Sequence, residues 1–121
     1  MSRRTIAAVS GIYDAIVGVM MLAVRPLLSR VFDVPLPVPP IHADLNGLFL
    51  LAVAAGYAIP YRDPESSSGR MYLRVMGVGL KSAGAALFLA DYFLRHSPPS
   101  FLVFAASDGA LALLTLWVLR S

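Results

Sequence analysis

The sequence predicts an all-α fold, an integral membrane four-helix bundle with both termini cytoplasmic. Three observations predict it. The 121 residues are 58% hydrophobic and only 14% charged, with a mean hydropathy of +0.72, whereas a soluble domain is about a quarter charged. Four apolar stretches approach the roughly 20 residues that a helix rising about 1.5 Å per residue needs to cross the hydrocarbon core. Polar or proline-rich breaks separate them. Soluble surfaces do not leave continuous apolar patches of that size open to water, so lipid is the simplest cover. The length allows a single transmembrane domain, residues 1–121.

The first span is predicted over 6–24 and ends at Arg25-Pro26. Arg3 and Arg4 resemble the start of a signal peptide, but Asp14 interrupts the apolar run and no clear cleavage site follows, so the segment is expected to be retained. Its apolar residues contribute roughly 3–4 kcal/mol to insertion, and one central carboxylate costs about 2.5–3.5 kcal/mol. Neighbouring helices must therefore hold this span. After it, Leu27, Leu28, Val31 and Phe32 alternate with Ser29, Arg30 and Asp33 before Pro35, Pro37, Pro39 and Pro40. That pattern predicts a short amphipathic turn on the outer interface and an extended proline segment, either a stiff connector or a lid over a membrane cavity.

The second span is predicted over 41–59, with His42, Asn46, Leu50, Val53 and Tyr57 on one face and Asp44 elsewhere, near the outer interface. The next break runs from Pro60 to Arg70, because proline cannot continue a helix beyond its first turn without losing a hydrogen bond. The third span is predicted over 71–94. Steps of three and four put Arg74, Gly77, Lys81, Gly84, Phe88, Asp91 and Arg95 on one inward stripe, with Asp91 and Arg95 placed as an interfacial pair. After Pro98-Pro99, the fourth span is predicted over 101–119, with Asp108, Ala112 and Thr115 sharing a face. In the first span Gly11, Asp14, Gly18, Met21 and Arg25 do the same. Glycines on such stripes let another backbone approach closely.

Orientation follows from arginine placement. The N-terminus, the second loop and the C-terminus carry Arg3, Arg4, Arg62, Arg70 and Arg120, against Arg25, Arg30 and Arg95 in the other two loops. Positive residues favour the cytoplasmic side, which puts both termini there. The same placement argues against nucleic acid as a partner. The net charge is +3, but there is one lysine and the arginines flank apolar segments without forming a patch. There is no cysteine, which excludes disulfides, thiol redox chemistry and Cys-ligated metals. His42 and His96 both lie near outer ends, so no metal site is expected. No nucleophile–base pair is legible and no cofactor is predicted.

The charges inside the spans point furthest towards function. Counted at about 1.5 Å per residue, Asp14 lies about 12 Å from the cytoplasmic end of its span, Lys81 about 15 Å, and Asp108 about 17 Å. Two acids and one base at one depth are cheapest as a paired cluster inside the bundle. A short internal similarity adds to this: 46–51, Asn-Gly-Leu-Phe-Leu-Leu, resembles 108–113, Asp-Gly-Ala-Leu-Ala-Leu. Two related helix pairs would place the second and fourth spans equivalently and set Asp14 against Lys81.

Several short segments resemble the DoxX-like group of small four-helix bacterial membrane proteins. They are Tyr13-Asp14, Asp44-Leu45-Asn46-Gly47-Leu48-Phe49, Ala54-Ala55-Gly56-Tyr57 with Pro60 and Arg62-Asp63-Pro64, then Lys81 and Ser107-Asp108-Gly109. The resemblance implies a multi-pass protein of a bacterial inner membrane and a partner-dependent role. The leading expectation is accordingly a non-catalytic membrane subunit or assembly partner, bound to another membrane protein or to copies of itself within the lipid bilayer. An alternative is a cavity for a lipophilic small molecule, a quinone or lipid, against Asp14, Asn46, Lys81 and Asp108, with Tyr57, Phe88 and Tyr92 as its walls. A third is proton-coupled transport through the same acids.

Overall fold

A computed structural model describes residues 1–33 and 40–121. The expected extended proline segment, with Pro35, Pro37 and Pro39, lies outside the described residues. Those that are described form helices and no strand. Four helical spans are long and apolar enough to cross a membrane: Arg3–Ala23, Ile41–Arg62, Ser67–Arg95 and Phe101–Arg120.

Helix α1, Arg3–Ala23, starts where Ser2 Oγ accepts the Thr5 N–H at 3.0 Å, satisfying one of the free donors at a helix start. A bend at Val24 leads directly into α2, Arg25–Phe32, which carries Pro26 in its first turn, where a missing N–H costs nothing. The expected amphipathic turn is thus a two-turn helix. Asp33 ends it in the left-handed conformation, with φ 53°.

The second span bends within its length. Helix α3, Ile41–Gly56, gives way at Tyr57 to α4, Ala58–Arg62. Pro60 has no N–H to offer the Gly56 carbonyl, so the long ladder stops there and a new short helix begins. The expected break at Pro60 is corrected accordingly. The proline sits in the first turn of α4, and the connector shrinks to Asp63–Ser66 because α5, Ser67–Tyr72, starts early. Ser66 Oγ caps it, accepting the Gly69 N–H at 2.9 Å.

The third span continues through a π-helical stretch, Leu73–Leu80, into α6, Lys81–Arg95. The wider turns reset which side chains face inward. Leu73, Gly77, Lys81 and Ala85 are buried, a step of four throughout, while Arg74 is exposed. The expected stripe is therefore corrected at its start, and Arg74 belongs to the outer surface. With 29 residues from Ser67 to Arg95, the span exceeds what the hydrocarbon needs, so Arg70 and Arg74 sit where long side chains reach the polar interface. Asp91 and Arg95 form the expected pair at 3.2 Å. His96 closes α6 with φ 58°, and α7, Phe101–Arg120, completes the bundle.

Helices α1 and α3 pack along one another, as do α6 and α7. At the first contact a Cβ on Gly18 would stand 3.0 Å from the Gly47 carbonyl oxygen, and one on Gly47 would stand 3.0 Å from that of Gly18. The two backbones touch. At one end of the bundle, Arg3 pairs with Glu65 at 3.0 Å and reaches the Leu119 carbonyl at 3.4 Å, while Arg4 Nε donates to the Tyr61 carbonyl at 2.8 Å. Both termini and the Asp63–Ser66 connector therefore share that end. The core beside it contains Ile6, Val53, Tyr57, Leu73, Leu111 and Val118. Ile12, Ile16, Leu48, Leu87, Phe93, Leu113 and Trp117 remain exposed on the outside, an apolar coat suited to lipid.

Candidate functional site in the bundle interior

Opposite the packed core, the helices part around a partly open cavity of about 310 Å³. Three helices build it with the same spacing. In α1 Asp14, Val17 and Met21 face it, in α6 Lys81, Gly84 and Phe88, and in α7 Phe101, Phe104 and Asp108. Steps of three and four keep each trio on one helical face, with the charged residue deep and apolar residues towards the far end. Asn46, Phe49 and Leu50 of α3 contribute a fourth wall, and Leu28 of α2 a roof. Phe32 of α2 also packs on Phe104, with ring centroids 5.1 Å apart.

The floor is an ion cluster. Lys81 Nζ donates to Asp14 Oδ1 at 2.8 Å, and Asp108 Oδ1 lies 4.0 Å from the same nitrogen. The side chains of Asp14 and Lys81 are each only 4% exposed, that of Asp108 18%. The ammonium also stands 5.1 Å from the centroid of the Tyr13 ring, within the range where a ring face attracts a cation. Tyr13 OH and Ser107 Oγ are hydrogen-bonded at 2.6 Å, tying α1 to α7 beside the cluster. Lysine thus has one close carboxylate, a second farther off and an aromatic face, while the second carboxylate looks into the cavity.

Asp14, Asn46, Lys81, Asp108 and Phe88 line one space, as the sequence suggests, but not on equal terms. Asn46 is exposed on the far side of the cavity and its amide nitrogen contacts Met21 Sδ at 3.7 Å; it does not join the ion cluster. Tyr57 and Tyr92 are corrected as wall residues. Tyr57 lies three turns beyond Asn46 towards the terminal end, 2% exposed, edge-on to Tyr72 at 5.0 Å, its hydroxyl buried without a hydrogen-bond partner among the described residues. Tyr92 lies one turn beyond Phe88 and packs on its neighbour Phe93, centroids 5.1 Å apart. His42 is exposed. Among the described residues no three His, Asp or Glu side chains gather as a metal site.

Tyr13, Phe101 and Phe104 are the residues that spacing by threes and fours passed over. Tyr13 precedes Asp14 directly, so it falls off the stripe that Asp14 defines, yet its ring reaches round to Lys81. Phe101 and Phe104 do obey the pattern. They stand seven and four residues before Asp108, and extending the Asp108 face backwards would have found them.

The internal similarity has a spatial counterpart. Gly47, after Asn46, meets α1 at Gly18, four residues past Asp14; a Cβ on Gly109, after Asp108, would stand 3.8 Å from Ala85 Cβ, four residues past Lys81. The equivalent positions Asp14 and Lys81 are in direct contact.

Compared with protein-family models, curated proteins and solved structures, the chain finds no match.

Proposed function

We propose that this protein binds a lipophilic small molecule between its helices, head group where the ion cluster meets the phenylalanines and apolar part towards the open side. The carrying observation is the cavity of about 310 Å³, which lies within the ~300–1,000 Å³ of ligand pockets and shares their plan of apolar walls with a few convergent polar groups. A subunit serving only as scaffold needs no such space, and its apolar outer faces are as well covered by lipid as by a partner. The ion cluster gives such a molecule a polar anchor at a depth where charges are otherwise expensive.

Filling the space tests this reading. Val17→Trp adds a ring into the cavity while keeping every residue of the ion cluster. Protein purified in nanodiscs and extracted with organic solvent should release a stoichiometric lipophile from the wild type and none from the variant, as read by mass spectrometry. An empty wild type that gains thermal stability on filling would overturn the proposal.

We further propose that both termini face the cytoplasm of a bacterium, supported by the arginines gathered at the terminal end. The absence of native cysteine makes this simple to check. Ser2→Cys and Ser68→Cys should resist an impermeant thiol reagent added to whole cells, while His96→Cys, at the other end, is labelled. The reverse pattern would invert the topology.

A further inference from the structure

Resting on the cavity reading above, we infer that the bound molecule is a lipophilic cation, an alkylamine or quaternary ammonium, held by Asp108 and the phenylalanine cluster. The side chains of the floor supply two carboxylates and one ammonium. Lys81 is committed to Asp14 at 2.8 Å and to the Tyr13 face, and stands 4.0 Å from Asp108. Asp108 accepts no hydrogen bond among the residues described, and its Oδ2 rests near Gly84, 3.2 Å from where a Cβ would stand. The floor therefore carries one carboxylate in excess, turned towards the open space. A partly buried carboxylate that shares its neighbouring cation with a second, closer acid is incompletely neutralised, which is costly in a membrane interior, and a positive head group placed there removes the cost.

The walls agree with the floor. Phe88 stacks on Phe104 with centroids 5.5 Å apart and meets Phe101 edge-on at 5.8 Å, and Phe101 lies 6.4 Å from Phe104. Phenyl faces attract cations, and quaternary ammonium groups are recognised by such aromatic surroundings. The Lys81 hydrogens not given to Asp14 and the Asn46 amide could meet a carbonyl, but a neutral or anionic head group leaves the excess carboxylate without a counter-charge. Charge and aromatic content select the same ligand class.

Three probes with one tail and different heads separate the possibilities: octyltrimethylammonium, octanol and octanoate, titrated calorimetrically into protein in zwitterionic nanodiscs, with empty discs subtracted. The cation should bind about tenfold more tightly than the alcohol, or about 1.4 kcal/mol, and octanoate more weakly than either. Asp108→Asn should abolish the preference for the cation over octanol. Phe104→Leu, which leaves the ion cluster intact, should weaken the cation several-fold and the alcohol little. Equal or tighter binding of octanol or octanoate by the wild type overturns the cation assignment and leaves the cavity standing. If none of the three binds, the proposed function itself falls with it.

Discussion

Lys81→Met should destabilise the folded protein by about 3–5 kcal/mol, the usual consequence of removing one partner from a buried pair. The substitution keeps an unbranched apolar stem of similar length and deletes only the ammonium. Asp14 then loses the hydrogen bond at 2.8 Å that justifies its burial, and Asp108 loses the cation at 4.0 Å. The two carboxylates would face each other with no ammonium between them. The triple variant Asp14→Leu, Lys81→Met, Asp108→Asn carries no charge at this level and should recover most of the loss, since apolar replacement of a whole buried cluster is often neutral or stabilising. Unfolding measured by steric trapping in bicelles reads both effects. A single variant within about 1 kcal/mol of the wild type would mean that water solvates the cluster.

The second large effect is expected at the contact of α1 and α3. Gly47→Leu should cost about 1–3 kcal/mol or more through overpacking. Even the first added carbon would stand 2.9 Å from Leu22 Cγ and 3.0 Å from the Gly18 carbonyl oxygen. The leucine side chain could recede, but the carbonyl belongs to a helix whose neighbouring turns are themselves packed. The helices must separate, and every contact along their length weakens together. Gly79→Ala is the control, because its added carbon meets nothing nearer than a backbone oxygen at 3.5 Å. Equal melting temperatures for the two variants would show that α1 and α3 are not closely packed in the bilayer.

Much of this architecture is legible in the chain because the bilayer simplifies the problem. Every span must be apolar, helical and of a set length, so the four stretches and their inward charges stand out without alignment. Asp14, Lys81 and Asp108 could be placed together because residue counting gives depth and burial cost gives company. Four features escaped for physical reasons. Pro60 reads as a terminator by its missing donor, yet a chain can bend at Tyr57 and place the same proline in a fresh first turn. Arg74 falls on the inward stripe only if turns stay at 3.6 residues, and the π-helical stretch breaks that assumption. Tyr13 works through the reach of its ring and not through its position on the helix, and Tyr57 and Tyr92 sit at the right face but the wrong height.

Between Leu73 and Leu80 the wide turns hold more residues each than an α-helix does, so this part of the third span contains surplus chain. Tightening even one of them into an ordinary turn would lengthen the helix slightly and rotate α6 about its axis. The first residue of α6 is Lys81. The cation that anchors the ion cluster is thus mounted at the end of a screw thread, and a change of pitch there would turn that residue towards or away from the cavity without moving a loop.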